Sequence, residues 1–320
     1  MSKFLNSLAI ALLYLLNKLP LRALYLLSDM LYPLVYFVVR YRRKVVRKNL
    51  RNSFPEKSDK ELKAIEKEFY HNFCDYFVET IKYYGMSAEE VGKHVEFTGL
   101  DEVLRMLAQN RSCVCYMLHN FNWEYLTTLP LYIKGDNVVV GAIYHKLRNP
   151  RFDKLFKDMR GQYGADNVTM KNTLRRVIEI TKNKQLFVYG FIADQIPKRE
   201  AMNHWLTFLN QDTPVFTGAE KIARRVKGSA FYVDIVKVKR GKYKVHFELM
   251  CEDASSMPEH EITNEYFRRG EEAIRKNPAL WLWTHNRWKR TRADYEAFRA
   301  HIDERHRRFT EDAVTPDIQK

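Results

Sequence analysis

The chain has few cysteines to staple it and none of the common motifs that chelate a metal or cradle a phosphate. Only four of its 320 residues are cysteine (Cys74, Cys113, Cys115 and Cys251), and no two of them form a Cys-x-x-Cys pair. Neither a disulfide framework nor a cysteine-built zinc site is expected, and the four read as reduced thiols used as small apolar residues, which favours a cytosolic setting for the folded body. Gly-x-Ser-x-Gly is missing, which disfavours a serine lipase or esterase. His-Glu-x-x-His, a P-loop and Gly-x-Gly-x-x-Gly are missing too, which leaves little support for zinc or nucleotide chemistry. No uncharged apolar run reaches the ~18 residues of a spanning helix, and no signal peptidase site follows the first apolar stretch. There is no internal repeat and no low-complexity linker.

Charge and hydrophobicity are present, and unevenly placed. The formal net charge is +15, and hydrophobic residues make up 46% of the chain. That is ample for a large core, and the excess of basic residues implies an acidic partner. Residues 4 to 39 are apolar but broken by Lys18, Pro20, Arg22, Asp29 and Pro33. Directly after them, seven of the twelve positions from Arg40 to Arg51 are basic and none is acidic. An apolar segment abutting such a cluster fits the cytoplasmic face of an anionic membrane, with Tyr14, Tyr25, Tyr32, Tyr36 and Tyr41 at the interface. The competing reading is a pair of core helices with a solvated basic face. Spanning and interfacial placement both stay open. The organisation expected is a membrane anchor with a basic flank over residues 1–45, a catalytic domain over 46–312 and a polar tail over 313–320.

The body alternates continuous apolar runs with amphipathic segments. Strands are expected at 112–118, 137–144 and 185–193, and a hairpin at 230–239 and 242–250 around Arg240-Gly241. Helices are expected at 58–84, 99–108, 149–163, 172–182, 217–227, 261–276 and 292–310. Unbroken apolar strands alternating with helices predict an α/β fold. Its largely parallel central sheet is flanked by helices on both faces, and an N-terminal helical segment anchors it to the membrane. In such sheets, sites gather at the carboxyl ends of strands. His119 and Asp194 both fall there.

The run Leu118-His119-Asn120-Phe121-Asn122-Trp123-Glu124 carries the chemistry. A histidine leaving a buried strand with a carboxylate five residues on is a candidate general base with an orienting partner. On a regular helix side chains five apart diverge by about 140°. His119 and Glu124 therefore meet only if the histidine sits in the loop and Glu124 in the first turn of the next helix, with Asn120 and Asn122 as turn and cap residues. The alternative is a polar pair at a helix start.

Taken together, the chain resembles the lysophospholipid and lipid A acyltransferases, most of all the bacterial lipid A biosynthesis acyltransferases. Four blocks between the apolar amino terminus and Arg292 carry the likeness. His119 to Glu124 matches the HxxxxD/E motif. Tyr144 to Pro150, with Arg160 and Gly164, matches a second block, which departs from the usual Tyr-Arg start at His145, where Lys146 or Arg148 is the substitute. Ala193-Asp194-Gln195 matches an Asp-Gln or Asp-His element, and Trp281 to Lys289 matches a Trp-x-His-x-Arg-aromatic-Lys signature.

The resemblance implies transfer of a fatty acyl chain from acyl carrier protein to a hydroxyl of a lipid A precursor at the inner membrane, with the catalytic domain on the cytoplasmic side. His119 is then the base and Glu124 its orienting acid, with no covalent intermediate, cofactor or metal. Backbone amides near His119, or Arg160, are the oxyanion donors. Arg148, Arg160, Asp194, Gln195, Trp283, His285 and Arg287 are the expected substrate-binding residues, Trp283 and His285 by packing beside the site. Asp194 is expected to orient Arg160 or bind acceptor hydroxyls, or else to cap the loop. The partners implied are acyl carrier protein, an anionic glycolipid and the membrane. A lysophospholipid or lipoamino acid acceptor is the nearest rival. A nucleic-acid-binding protein is the rival from another class, disfavoured because the charge clusters beside an apolar segment.

Overall fold

The computed structural model describes residues 3–314, with side chains from Leu5 to Glu304. Of the expected polar tail, 315–320 lie outside the described residues. In chain order the strands are β1 (Val95–Thr98), β2 (Cys113–Met117), β3 (Val138–Tyr144), β4 (Asp166–Thr169), β5 (Leu186–Ile192), β6 (His204–Phe208), β7 (Gln211–Val215), β8 (Ser229–Lys239) and β9 (Lys242–Cys251). Seven form one sheet in the order β1-β9-β8-β2-β5-β3-β4, and β6 and β7 form a separate hairpin. All neighbours in the large sheet run parallel except β8 and β9.

Strand β2 sits at the centre, and all five of its residues are buried. Its parallel neighbours are β5 and β8, with Cys113 opposite both Val188 and Ser229. Period-two alternation then sends its side chains to two different cores. Val114 and Tyr116 pack with Phe69 and Tyr70 of the helix Asp59–Tyr83, with Tyr266 and with Trp281. Cys113, Cys115 and Met117 pack on the other face with Val103, Met106, Tyr125 and Met159. Two covered faces explain why these strands read as unbroken apolar runs. The four cysteines are free thiols, and burial pushes Cys113 up to about 12, so it serves as core.

The helices follow the expected positions closely. The helix Asp59–Tyr83 starts on a capping box in which Ser58 and Glu61 exchange hydrogen bonds. The segment after His119 differs: Trp123–Leu131 is a 3-10 helix, with Pro130 inside it. At the amino end, helices Lys3–Asn17 and Leu21–Pro33 are followed by a π-helical turn, Leu34–Val39, and by the helix Arg43–Ser53. Leu21–Val39 is a 19-residue helical stretch that is long and apolar enough to cross a membrane, and little of it is buried. The domain boundary expected at residue 45 falls inside the helix Arg43–Ser53.

Gly141 of β3 pairs with Asp166 of β4, and a Cβ there would collide with the Asp166 carbonyl oxygen. Gly141→Ala is therefore expected to push β4 off the sheet edge and destabilise the fold by roughly 1–3 kcal/mol. A lower midpoint in thermal melts followed by circular dichroism checks this; an unchanged midpoint would show that β4 is not held this closely.

Candidate active site

Because β2, β5 and β3 are parallel, their carboxyl ends open onto one edge of the sheet. His119 leaves β2 there, and Asp194 leaves β5. The two meet. The His119 Nδ1 lies 2.5 Å from Asp194 Oδ1, and the His119 backbone N–H donates to Asp194 Oδ2 at 3.0 Å. The Trp281 indole N–H donates to the same Oδ2 at 2.6 Å. Asp194 is 1% exposed and His119 is 17% exposed, so the carboxylate is sealed behind an imidazole that reaches solvent.

Burial by itself would raise the Asp194 carboxyl. The His119 imidazole and the donors around it outweigh burial and hold it at about 2. An ionised Asp194 accepts the Nδ1 proton, which leaves the Nε2 lone pair of neutral His119 pointing outward. The Gln195 side-chain amide lies 3.2 Å from that Nε2, in position to donate to it. The Trp123 ring packs edge-on to the imidazole at 5.1 Å.

The loop carrying His119 is pinned from behind. Phe121 N–H donates to Leu280 O, Leu282 N–H donates to His119 O, and Asn120 bridges Trp281. The strap from Leu280 to Leu282 thus runs antiparallel to the histidine loop and delivers the Trp281 indole to Asp194.

Spacing predicted that Glu124 would orient His119. The structure pairs the acids the other way. Glu124 is 1% exposed, and both of its oxygens are taken by Arg160, whose Nη2 and Nε donate at 2.6 and 2.8 Å. Tyr76 O–H adds a third donor at 3.3 Å. The physical reason lies in the turn at Asn122, whose Oδ1 caps the Glu124 N–H, and in Trp123, whose ring takes the flank of the imidazole. Glu124 turns inward towards the helix Pro150–Gly161. Its charge also outweighs burial on Arg160 and raises that guanidinium.

The remaining expected residues divide. Gln195 and Asp194 reach the imidazole, as described. Arg148 is exposed on the loop after β3, as is His145, the departure in that block. Trp283 is fully buried against Phe54 and Trp281, which is packing and not a substrate contact. Arg287 is 1% exposed and donates to Pro214 O at 2.5 Å, so it does not reach a headgroup phosphate from there. Its Nε and Nη1 meet no acceptor among the described residues, and burial lowers it to about 10. His285 is pushed down to about 4, by burial above all. Sequence reasoning missed Trp281 as a donor to Asp194, Tyr76 as a partner of Glu124, and Trp123 as a wall of the imidazole. The first had a signal, since Trp281 opens a block already singled out. Among the described residues no cluster of three or more metal-ligating side chains occurs.

The family model for bacterial lipid A biosynthesis acyltransferases matches residues 1–290. The chain belongs to that family, and is an acyltransferase by that membership. No curated protein sequence matches it.

Asp194 and His285 set separate acid limits. Asp194 titrates at about 2 in the fold against an ordinary 3.8, so its contribution is whole above about pH 4 and is lost as pH falls towards 2. The unfolded chain protonates His285 near 6.5, whereas the fold resists this down to about 4, so stability declines across that window. Asp194→Asn is expected to remove a pH dependence on the order of 2 kcal/mol below about pH 4. His285→Phe is expected to flatten the decline between about pH 6.5 and 4. Urea midpoints measured at each pH check both, and identical profiles for the variants and the parent would contradict them.

Proposed function

We propose that this member of the bacterial lipid A biosynthesis acyltransferase family moves a fatty acyl chain from acyl carrier protein to a hydroxyl of a lipid A precursor, with His119 as general base and Asp194 as its orienting acid. The observation that carries the reading is the Asp194–His119 pair at the carboxyl edge of a parallel sheet, with the acid sealed and the base at the surface. In the proposed step, neutral His119 takes the hydroxyl proton on Nε2 as the acceptor oxygen attacks the thioester carbonyl. The tetrahedral intermediate then collapses, the carbon–sulfur bond breaks, and the imidazolium returns its proton to the departing thiolate. Asp194 stabilises the imidazolium while it exists. No side chain is acylated in this scheme.

Glu124 keeps an indirect part. Its bidentate grip fixes the Arg160 guanidinium, which is 18% exposed. A fixed cation of that kind suits the oxyanion or an acceptor phosphate. Gln195 marks the place where the acceptor hydroxyl sits before transfer. The exposed apolar residues at the amino end and the basic run from Arg40 support attachment to the cytoplasmic face of the inner membrane, where the lipid acceptor is met. The net charge of +15 suits docking of an acidic carrier protein.

Lipid A from cells with and without the protein, compared by mass spectrometry, tests the reaction. The reading expects one acyl chain to disappear with the protein, and an unchanged lipid A would overturn it. Within the site, His119→Ala is expected to abolish transfer by the purified protein while its circular dichroism stays that of the parent. Asp194→Asn is expected to lower kcat by about 10³–10⁴, by leaving the proton on the wrong nitrogen. Glu124→Gln, which acts only through Arg160, is expected to cost about 10². Full activity in Asp194→Asn would refute the pairing.

A further inference from the structure

The exposed apolar side chains of this protein are not scattered. Of the 21 exposed large hydrophobic residues among the described residues, 13 lie between Leu5 and Tyr41. A row of them runs along one face of each helical stretch. Leu5, Leu8, Leu12 and Leu15 repeat every three or four residues on the first helix, and Leu26, Met30, Leu34 and Val38 repeat every four along the second helix and the π-helical turn that continues it. A stretch of 19 residues from Leu21 to Val39 has the length of a span, and length by itself would place it upright in a bilayer.

The opposite face of that same helix argues otherwise. Leu24, Ser28 and Tyr36 are buried against the body. Ser28 Oγ donates to Asp75 at 2.8 Å, and Tyr25 O–H donates to the buried Glu79 at 2.8 Å. The Tyr32 ring stacks on His71. Asp29 and Asp75 both take the Arg240 guanidinium at 2.6 Å, and Lys237 lies 3.5 Å from Asp75. The helix is therefore tied at residues 25, 28, 29 and 32 to a cluster of charges on the folded domain. An upright span centred on Met30 would carry that cluster, Asp29 included, to the bilayer midplane. Charged groups there are strongly disfavoured and need pairing within a bundle.

We infer that the two amino-terminal helices lie flat in one leaflet of an anionic bilayer, as a monotopic platform whose leucine faces point into the acyl region. This rests on the membrane attachment proposed above and adds its geometry. Charge complementarity fits the assignment: exposed Lys18, Arg22, Arg40, Lys44 and Lys48 flank the apolar faces, where lipid phosphates lie. The surface is also continuous with the site. From half-exposed Tyr41, ring contacts run through Phe73, Phe77 and Tyr76 to Trp123, and Trp123 packs on His119 at 5.1 Å. On the other flank Asn149, after β3, donates to Asn6 of the first helix at 3.2 Å. A lipid hydroxyl thus reaches Nε2 along an aromatic edge while its chains stay in the leaflet.

Depth measurement tests this on the full chain. Single nitroxide labels at Leu12, Leu26, Met30 and Val38, in a Cys251→Ser background, are read in vesicles of phosphatidylglycerol and phosphatidylcholine. A flat platform places all four at one shallow depth, about 5–10 Å below the headgroups. A depth that peaks near 15 Å at Met30 and falls again at Val38 would overturn it, since half of a ~30 Å core is what a span requires. That outcome would leave membrane attachment intact, whereas failure to bind the vesicles would overturn attachment and platform together. Lys44→Ala and Lys48→Ala are each expected to weaken partition about fivefold, and only when phosphatidylglycerol is present. Equal partition into neutral vesicles would overturn the anionic partner.

Discussion

One buried carboxylate organises this molecule. Asp194 receives the imidazole, the backbone N–H of His119 and the indole of Trp281, and it is almost wholly removed from solvent. A charge in that position is tolerable only because three donors meet it. The acid stands at the end of β5, and its donors come from two distant parts of the chain: His119 at the end of β2, which supplies two, and Trp281 on the strap before Arg287. Satisfying the acid thus locks the strap onto the histidine loop and leaves the imidazole with one free direction.

The same economy appears on the other side of the loop. Glu124 is as buried as Asp194 and is compensated by Arg160 and Tyr76. Two acids within one site thereby do different work, one orienting an imidazole and the other fixing a guanidinium. The amino-terminal segment adds a third layer. Asn49 of the helix Arg43–Ser53 donates to Trp283 O and His285 O, and Arg42 donates to Thr284 O. The basic flank read as a membrane contact therefore also clamps the strap that holds Asp194, which ties the proposed membrane face to the geometry of the base.

Much of the fold was legible because burial on two faces leaves a plain mark. β2, β3, β5, β8 and β9 each fall within a residue or two of their expected limits, as do the helices at 59–83 and 261–276. The strands that escaped notice are short or polar. β4 reads Asp-Asn-Val-Thr at the sheet edge, and β6 and β7 turn at Leu209-Asn210, whose positive φ angles are not announced by a glycine. The site was legible in its residues but not in its pairings. His119, Glu124, Arg160 and Asp194 all stood out, yet local spacing suggested His119 with Glu124. Spacing carries no information on a strand end 75 residues away. Parallel pairing of β2 with β5 makes that contact, and the two acids exchange partners as a result.

The proton on the imidazole is the most direct test of this account. In ¹⁵N nuclear magnetic resonance of the lipid-bound protein, neutral His119 is predicted to carry its proton on Nδ1, facing Asp194, and to leave Nε2 bare. A neutral His119 protonated on Nε2 would contradict the account, because the nitrogen that faces the acceptor would then have no lone pair to take its proton.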